Sequence, residues 1–123
     1  MRTDDDAPFR TTSESVGAAV VVRVAGELDQ VTVDELSDCL SGATRSVAPP
    51  APVVVDLTGV HFLGACGVGL LLEHQDLCLR RGCALVVVAS APAVLRPLEV
   101  LELMDVLGVR PTVPDALAVS GRA

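Results

Sequence analysis

A buried strand that runs into a glycine-bracketed helix start is the feature that most constrains this chain. It occupies residues 52–83, with the sequence PVVVDLTGVHFLGACGVGLLLEHQDLCLRRGC. The Val53–Val55 run is apolar at consecutive positions, which is typical of a central strand covered on both faces. The Gly64–Gly67 turn then opens a predicted helix of about four turns, from about Cys66 to Arg81. Such a helix start presents free backbone N–H groups and suits an anion, a phosphorylatable residue or a docked partner.

Strands and helices alternate on both sides of this stretch. Pro8–Glu14 is weakly strand-like, and Ala18–Ala25 forms a stronger strand with it in a predicted hairpin. A helix starting near Val33 follows, and Cys83–Ala89 reads as another strand buried on both faces. A strand, helix and strand in this order predict a parallel pairing with a right-handed crossover. We therefore expect an α/β fold in a single domain: a mixed sheet of about four to five strands with helices packed on it.

Side-chain patterns predict details of the first two helices. Thr32 and Glu35 have the spacing of a capping box, in which each side chain bonds a free N–H of the first turn. In the helix after the glycine turn, periodicity places Leu79 toward the sheet and His74 toward solvent. Gly82 follows that helix and is expected to end it in a left-handed conformation.

The C-terminal third of the chain is less regular. Ser90 is expected to cap a third helix, and periodicity continues as helical from Leu98 to Leu107. Val109 is expected to add a short edge strand, before a last helical turn or two.

Composition excludes several classes of function. The chain has 123 residues and a net charge of −7, with 16 acidic against 9 basic side chains and no Trp or Tyr. This balance repels nucleic acid and anionic membranes, and it offers no aromatic platform for bases. We expect one cytoplasmic domain at residues 8–119, between a disordered acidic leader (1–7) and a frayed tail (120–123). This domain is expected to bind neither nucleic acid nor membrane.

The cysteines predict neither a metal site nor catalysis. Their spacing forms no CxxC pair and no zinc-ligand set, so we expect no metal, no cofactor and reduced thiols that act as small apolar groups. A nucleophile at Cys66 assisted by His61 would need a third, orienting group, and none is visible. The cysteines are Cys39, Cys66, Cys78 and Cys83.

Two other features keep more than one interpretation. The glycines of the Gly64–Gly67 turn are interpreted either as a packing requirement or as part of a binding site; a phosphate-binding loop is disfavoured because GACGVG lacks the Lys-Ser/Thr pair. Asp29 and Asp56 are both predicted at strand ends. They are interpreted as turn formers or as a polar rim around the central turn.

The residues resemble the STAS domain of bacterial anti-sigma-factor antagonists. The resemblance lies in GELD at Gly26–Asp29 and in VVVDLTGVHFLGACGVG at Val53–Gly69, and it extends over about Arg10 to Ala118. In that family, an anti-sigma factor with a kinase-like domain phosphorylates a serine at the start of the helix. The unphosphorylated antagonist binds this kinase and frees the sigma factor.

This chain departs from the family pattern at the acceptor position. The family's D-S-S/A-G corresponds to Gly64–Gly67, so the acceptor serine falls on Ala65, which has no hydroxyl. The resemblance therefore implies a non-catalytic antagonist, of undetermined oligomeric state, that stays competent to bind its anti-sigma factor. Alternatives are a subunit of a larger assembly, such as a lipid-transport ABC complex or a stressosome-like scaffold, and a redox sensor at Cys66. The implied partner-binding residues are Asp29, His61, Gly64, Ala65, Cys66 and Gly67.

Overall fold

Strands and helices alternate along residues 8–119, the part of the chain that the structure, a computed structural model, describes. The predicted leader (1–7) and tail (120–123) lie outside the described residues. The observed order agrees with the predicted alternation. The elements are β1 (Arg10–Val16), β2 (Ala19–Leu28), α1 (Val33–Ser46), β3 (Val53–Leu63), α2 (Ala65–Arg81), β4 (Leu85–Val88), α3 (Pro92–Val100) and α4 (Val113–Leu117).

The strands form a mixed sheet in the order β1-β2-β3-β4. β1 pairs with β2 antiparallel, whereas the β2–β3 and β3–β4 pairs are parallel. The predicted mixed sheet is therefore confirmed, with the antiparallel strand at its edge. Because parallel strands end at the same edge of a sheet, the chain leaves β2, β3 and β4 side by side, and α1, α2 and α3 begin there.

Both faces of the sheet are buried around its centre. On one face, the side chains of β2, β3 and β4 pack with α1, α2 and α3 into the main core. On the other face, α4 covers a smaller cluster. Val53, Val54 and Val55 are each 0% exposed, so β3 is covered on both faces as its sequence predicted. The smaller cluster contains Val21, Val54, Val86, Val88 and Ala116.

β3 is longer than its apolar run suggested. It extends to Leu63, because β2 continues to Leu28 and supplies backbone partners, with register shifts on the way. A Cβ added at Gly59 would lie 3.0 Å from the Val24 carbonyl oxygen, so the two strands approach closely at this irregularity. Asp56 consequently lies inside the strand, and its predicted position at a strand end is wrong.

The predicted faces of α2 need two corrections. His74 is 2% exposed rather than solvated, and Leu79 is 59% exposed rather than packed on the sheet. The reason is that α2 packs against α1 as well as against the sheet, so its buried face is rotated and wider than one apolar stripe. Its end is as predicted: Gly82 adopts a left-handed conformation with φ of 89°.

The predicted caps of α1 and α3 are wrong. Thr32 precedes α1 but makes no cap bond with its side chain; the hydroxyl instead donates to the Glu27 carbonyl oxygen at 2.7 Å. This bond back to β2 replaces the capping box expected with Glu35. α3 is preceded by Ala91 rather than by Ser90, again with no side-chain cap bond.

The segment after α3 also differs from its periodicity. α3 ends at Val100, and turns replace the helix that was predicted to run to Leu107. The strand expected at Val109 is reduced to an isolated bridge between Arg110 and Val88. Leu107 is nevertheless fully buried. The apolar pattern therefore predicted its burial correctly but predicted a helix where the chain forms turns.

Candidate functional site

The ends of β2 and β3 meet at one corner of the sheet. Leu28 and Leu63 are paired in the parallel register, and each is followed by a turn into a helix. The Gly64 N–H donates to the Leu28 carbonyl oxygen at 2.9 Å. This bond ties the start of α2 directly to the end of β2. We call the two turns, residues 29–32 and 61–67, the β2–β3 corner.

Close packing explains one glycine of this corner. A Cβ added at Gly67 would lie 2.8 Å from Leu28 Cγ and 2.9 Å from Leu63 Cδ1, closer than real Cβ atoms come. At Gly64 the added Cβ would meet the Phe62 ring at 3.3 Å, a tight contact. The first turn of α2 therefore sits directly on the strand ends, and Gly67 is required there by packing.

Asp29 holds the turn between β2 and α1. Its Oδ1 accepts from the backbone N–H of Val31 at 2.9 Å and from that of Thr32 at 3.2 Å. The Asp29 N–H in turn donates to the Thr32 hydroxyl at 3.0 Å. A short carboxylate that bonds the backbone two and three residues ahead is a turn former. Its side chain fixes the backbone at the corner and is half-buried.

The surface of the corner is small and apolar at the helix start. Ala65 and Cys66 are both exposed, and both precede the buried Gly67. Two larger apolar side chains are exposed in the same corner: Val31 at 84% and Phe62 at 49%. These two were missed by the sequence reasoning. A valine two residues after GELD, in a turn where polar residues are usual, was the available signal.

His61 lies apart from the helix start. It is in β3, and its Nε2 is 3.6 Å from Glu27 Oε2 on the neighbouring strand. Both side chains are about half exposed, at 42% and 51%. The structure therefore pairs this histidine with a carboxylate of β2, and not with the Cys66 thiol.

The corner has acidic neighbours and contains no Lys or Arg. Asp29 lies in its first turn, Glu27 lies shortly before it, and Asp34 and Glu35 lie in the first turn of α1. Lys and Arg are likewise absent from the flanking sequence, residues 24–44 and 57–79. Such a surface favours a partner with basic groups around an apolar patch.

Within residues 8–119, no group of three or more His, Cys, Asp or Glu side chains could hold a metal ion. Among the helices of the same range, none has the length and apolarity needed to cross a membrane.

Known proteins share this sequence and this fold. The STAS domain model matches residues 10–116. The chain is 32% identical over 112 residues to the anti-sigma-F factor antagonist RsfA of Mycobacterium tuberculosis, a match that covers 91% of this chain and 88% of RsfA. The structure is similar to that of an anti-sigma factor antagonist from Mycobacterium paratuberculosis, with a TM-score of 0.82, 31% identity, and 95% and 96% of the two chains covered. Unphosphorylated SpoIIAA, at 22% identity and a TM-score of 0.72, covers 87% of this chain and 92% of its own and shares the fold.

These relatives are anti-sigma-factor antagonists, a class of binding proteins, which agrees with the expectation of a non-catalytic chain. The matched residues 10–116 include all four strands and the whole β2–β3 corner. This chain therefore belongs to the STAS domain family.

Proposed function

We propose that this chain is an anti-sigma-factor antagonist that binds an anti-sigma factor through the β2–β3 corner and so releases a sigma factor. The partner is an anti-sigma factor with a kinase-like domain, and the interaction takes place in the cytoplasm. Relatives that match over nine-tenths of this chain carry the antagonist name, which supports the general function.

The exposed first turn of α2 is the observation that carries the proposal. Ala65 and Cys66 offer a small, uncharged surface at the free N–H groups of the helix, and Val31 and Phe62 are exposed apolar side chains of the same corner. Exposed apolar side chains that cluster with small residues are typical of a docking surface. Asp29 fixes the turn before α1, and Gly67 allows the first turn of α2 to lie on the strand ends.

Ala65 makes the proposed binding independent of phosphorylation at that position. A phosphate would add about −1.5 to −2 charges to a corner that already carries Glu27 and Asp29. Such a hydrated charge on the small apolar surface of the helix start would have to lose water in the proposed contact, and this desolvation would oppose binding. Because alanine has no hydroxyl, the chain stays in its binding-competent form whenever the partner kinase is active.

The binding claim is tested with the anti-sigma factors of the kinase-like class from the same genome. Calorimetric titration should show binding to at least one of them, and Val31→Asp should weaken it by about tenfold or more, because a charge enters the apolar contact. Val100→Asp is the matched control: Val100 is 73% exposed at the far end of α3, and its substitution should leave the affinity unchanged. Failure to bind any of these proteins, with co-purification of a transport ATPase or permease, would instead favour a subunit of a larger assembly.

The switch claim is tested by phosphotransfer from the bound kinase. The natural chain should accept no phosphate, whereas Ala65→Ser should accept it at the helix start and then lose affinity for the partner. Mass spectrometry locates the modified residue. Phosphate on the natural chain, at any hydroxyl, together with loss of binding would contradict the permanently competent state.

A further inference from the structure

β1 forms an open edge of the sheet. It is the outermost strand, and it pairs with β2 from Arg10 to Val16 in one continuous register without a bulge. Within residues 8–119 no strand lies on its other side, and all its residues except the half-buried Thr11 are exposed. An unbulged edge of this kind offers a row of backbone N–H and C=O groups to another strand.

Charged side chains usually protect such an edge from pairing. β1 carries two, Arg10 and Glu14, and both lie on the same face because side chains alternate along a strand. They have opposite signs and stand at equal distances on either side of Thr12. Turning the strand end for end about Thr12 therefore places each charge where the opposite one was.

We infer that two copies of this chain pair antiparallel through β1, about a two-fold axis at Thr12. In this arrangement Arg10 lies opposite Glu14 of the second copy, and the symmetry makes the same contact twice. Thr11 lies opposite Ser13 of the second copy on the other face. Opposite charges and hydroxyl pairs are favourable cross-strand neighbours.

The charges select this register over its neighbours. Antiparallel registers centred on Arg10 or on Glu14 put like charges opposite each other, which is unfavourable. Registers centred on Thr11 or Ser13 bring neither charge opposite its counterpart. Only the register centred on Thr12 joins both pairs, so β1 is self-complementary in a single alignment.

The strength of the pairing follows from its size. The shared segment is Arg10–Glu14 of each copy. Two strands of this length bury much less surface than the roughly 1,600 Å² that a standard stable interface buries. Glu14 also pairs with Arg23 of its own β2, so its carboxylate would lie between two guanidinium groups in the dimer. We expect a weak, reversible dimer that forms as the protein concentration rises. The surface lies on β1 and is independent of the proposed partner contact.

Charge reversal on the full chain tests the register. Sedimentation equilibrium should show a concentration-dependent dimer for the natural protein. Arg10→Glu alone and Glu14→Arg alone should each weaken self-association by roughly tenfold or more, because every cross-strand pair then joins like charges. An equimolar mixture of the two variants should associate again, since each pair in the mixed dimer joins opposite charges.

Two controls distinguish a change in cross-strand pairing from a change in net charge and from loss of the fold. Arg96→Glu on α3 changes the net charge as Arg10→Glu does and should leave the dimer unchanged, and circular dichroism confirms that each variant is folded. A natural protein that stays monomeric at millimolar concentration overturns the inference. So does a dimer that Arg10→Glu leaves intact, or a mixture of the two variants that remains monomeric.

Discussion

The first turn of α2 and its middle turns differ in what surrounds them. At the first turn, the small apolar residues Ala65 and Cys66 face solvent. In the middle, the polar side chain of Gln75 is buried: its Nε2 donates to the carbonyl oxygens of Leu85 and Val106, each at 2.8 Å, and its Oε1 accepts from the Leu85 N–H at 2.9 Å. One helix thus exposes apolar groups where a partner can bind, and buries a polar group that joins β4 to the segment after α3.

Thiol reactivity should show the largest difference between the two parts of the helix. Cys66 is exposed, whereas Cys78 is 0% exposed, and burial, with a smaller contribution from Cys83, raises the pKa of the Cys78 thiol to about 12. Relative to an ordinary thiol, this alone lowers the reactive thiolate fraction by about a thousandfold. Maleimide labelling at neutral pH, followed by peptide mapping, should modify Cys66 first and Cys78 only on unfolding. Equal labelling of the two would contradict the contrast.

Removing the buried amide should produce the largest loss of stability. Gln75→Met keeps the approximate volume but leaves the Leu85 N–H and the Val106 carbonyl without this partner, so we expect a loss of about 2–4 kcal/mol in the free energy of unfolding. Urea denaturation measures it. Asp76→Asn, at the exposed neighbouring residue, is the control and should change the free energy by less than about 0.5 kcal/mol, because its ion pair with Arg80 is solvent-exposed. A Gln75→Met protein as stable as the control would show that these bonds are not needed.

Adding a side chain in the first turn of α2 should reduce stability less than removing the Gln75 amide. Gly67→Ala forces a Cβ against Leu28 and Leu63, so we expect a loss of about 1–3 kcal/mol in the free energy of unfolding. Gly69→Ala is the matched control in the same helix: its added Cβ meets nothing within 4 Å, and it should stabilise the protein by about 0.5–1 kcal/mol. Thermal unfolding of both variants should therefore shift in opposite directions. A shift of the same sign would mean that the corner is looser than these distances indicate.

The smallest effect should be the pH dependence that comes from the buried histidine. Burial lowers the pKa of His74, with partial opposition from the Glu73 carboxylate, and Nδ1 has no hydrogen-bond partner among the described residues. The unfolded chain therefore binds this proton more readily, and stability should fall as the pH drops below about 6.5. His74→Gln should flatten this loss between about pH 5 and 7, whereas His61→Gln at the exposed histidine should retain it. An unchanged slope in His74→Gln would contradict this assignment.

Much of the fold could be predicted because it depends on local pattern. The apolar run at Val53–Val55, the end of α2 at Gly82 and the order of elements all follow from side-chain period and turn residues. The length of β3 and the conformation between Leu98 and Leu107 could not, because a strand is as long as its neighbour allows and an apolar residue can be buried in a turn.

The candidate site, like the fold, could be predicted only in part from the sequence. GELD and the glycine turn indicated which parts of the chain would form the corner, and the resemblance placed Ala65 at its helix start. The parallel pairing of Leu28 with Leu63 was needed to bring the two turns together. Val31 and Phe62 were missed because neither a period nor a motif says which apolar side chain will be left uncovered.

The amino-acid sequence by itself determined the alternation of strands and helices and the absence of a hydroxyl at Ala65, since both are properties of the covalent chain. It also placed Arg10 and Glu14 symmetrically about Thr12. Only the tertiary structure decided that His74 and Gln75 are buried and that Val31 is exposed, because burial depends on which elements pack together and not on the polarity of a side chain. The close fit at Gly67 is likewise a contact between distant residues, and it became visible only when α2 lay on the ends of β2 and β3.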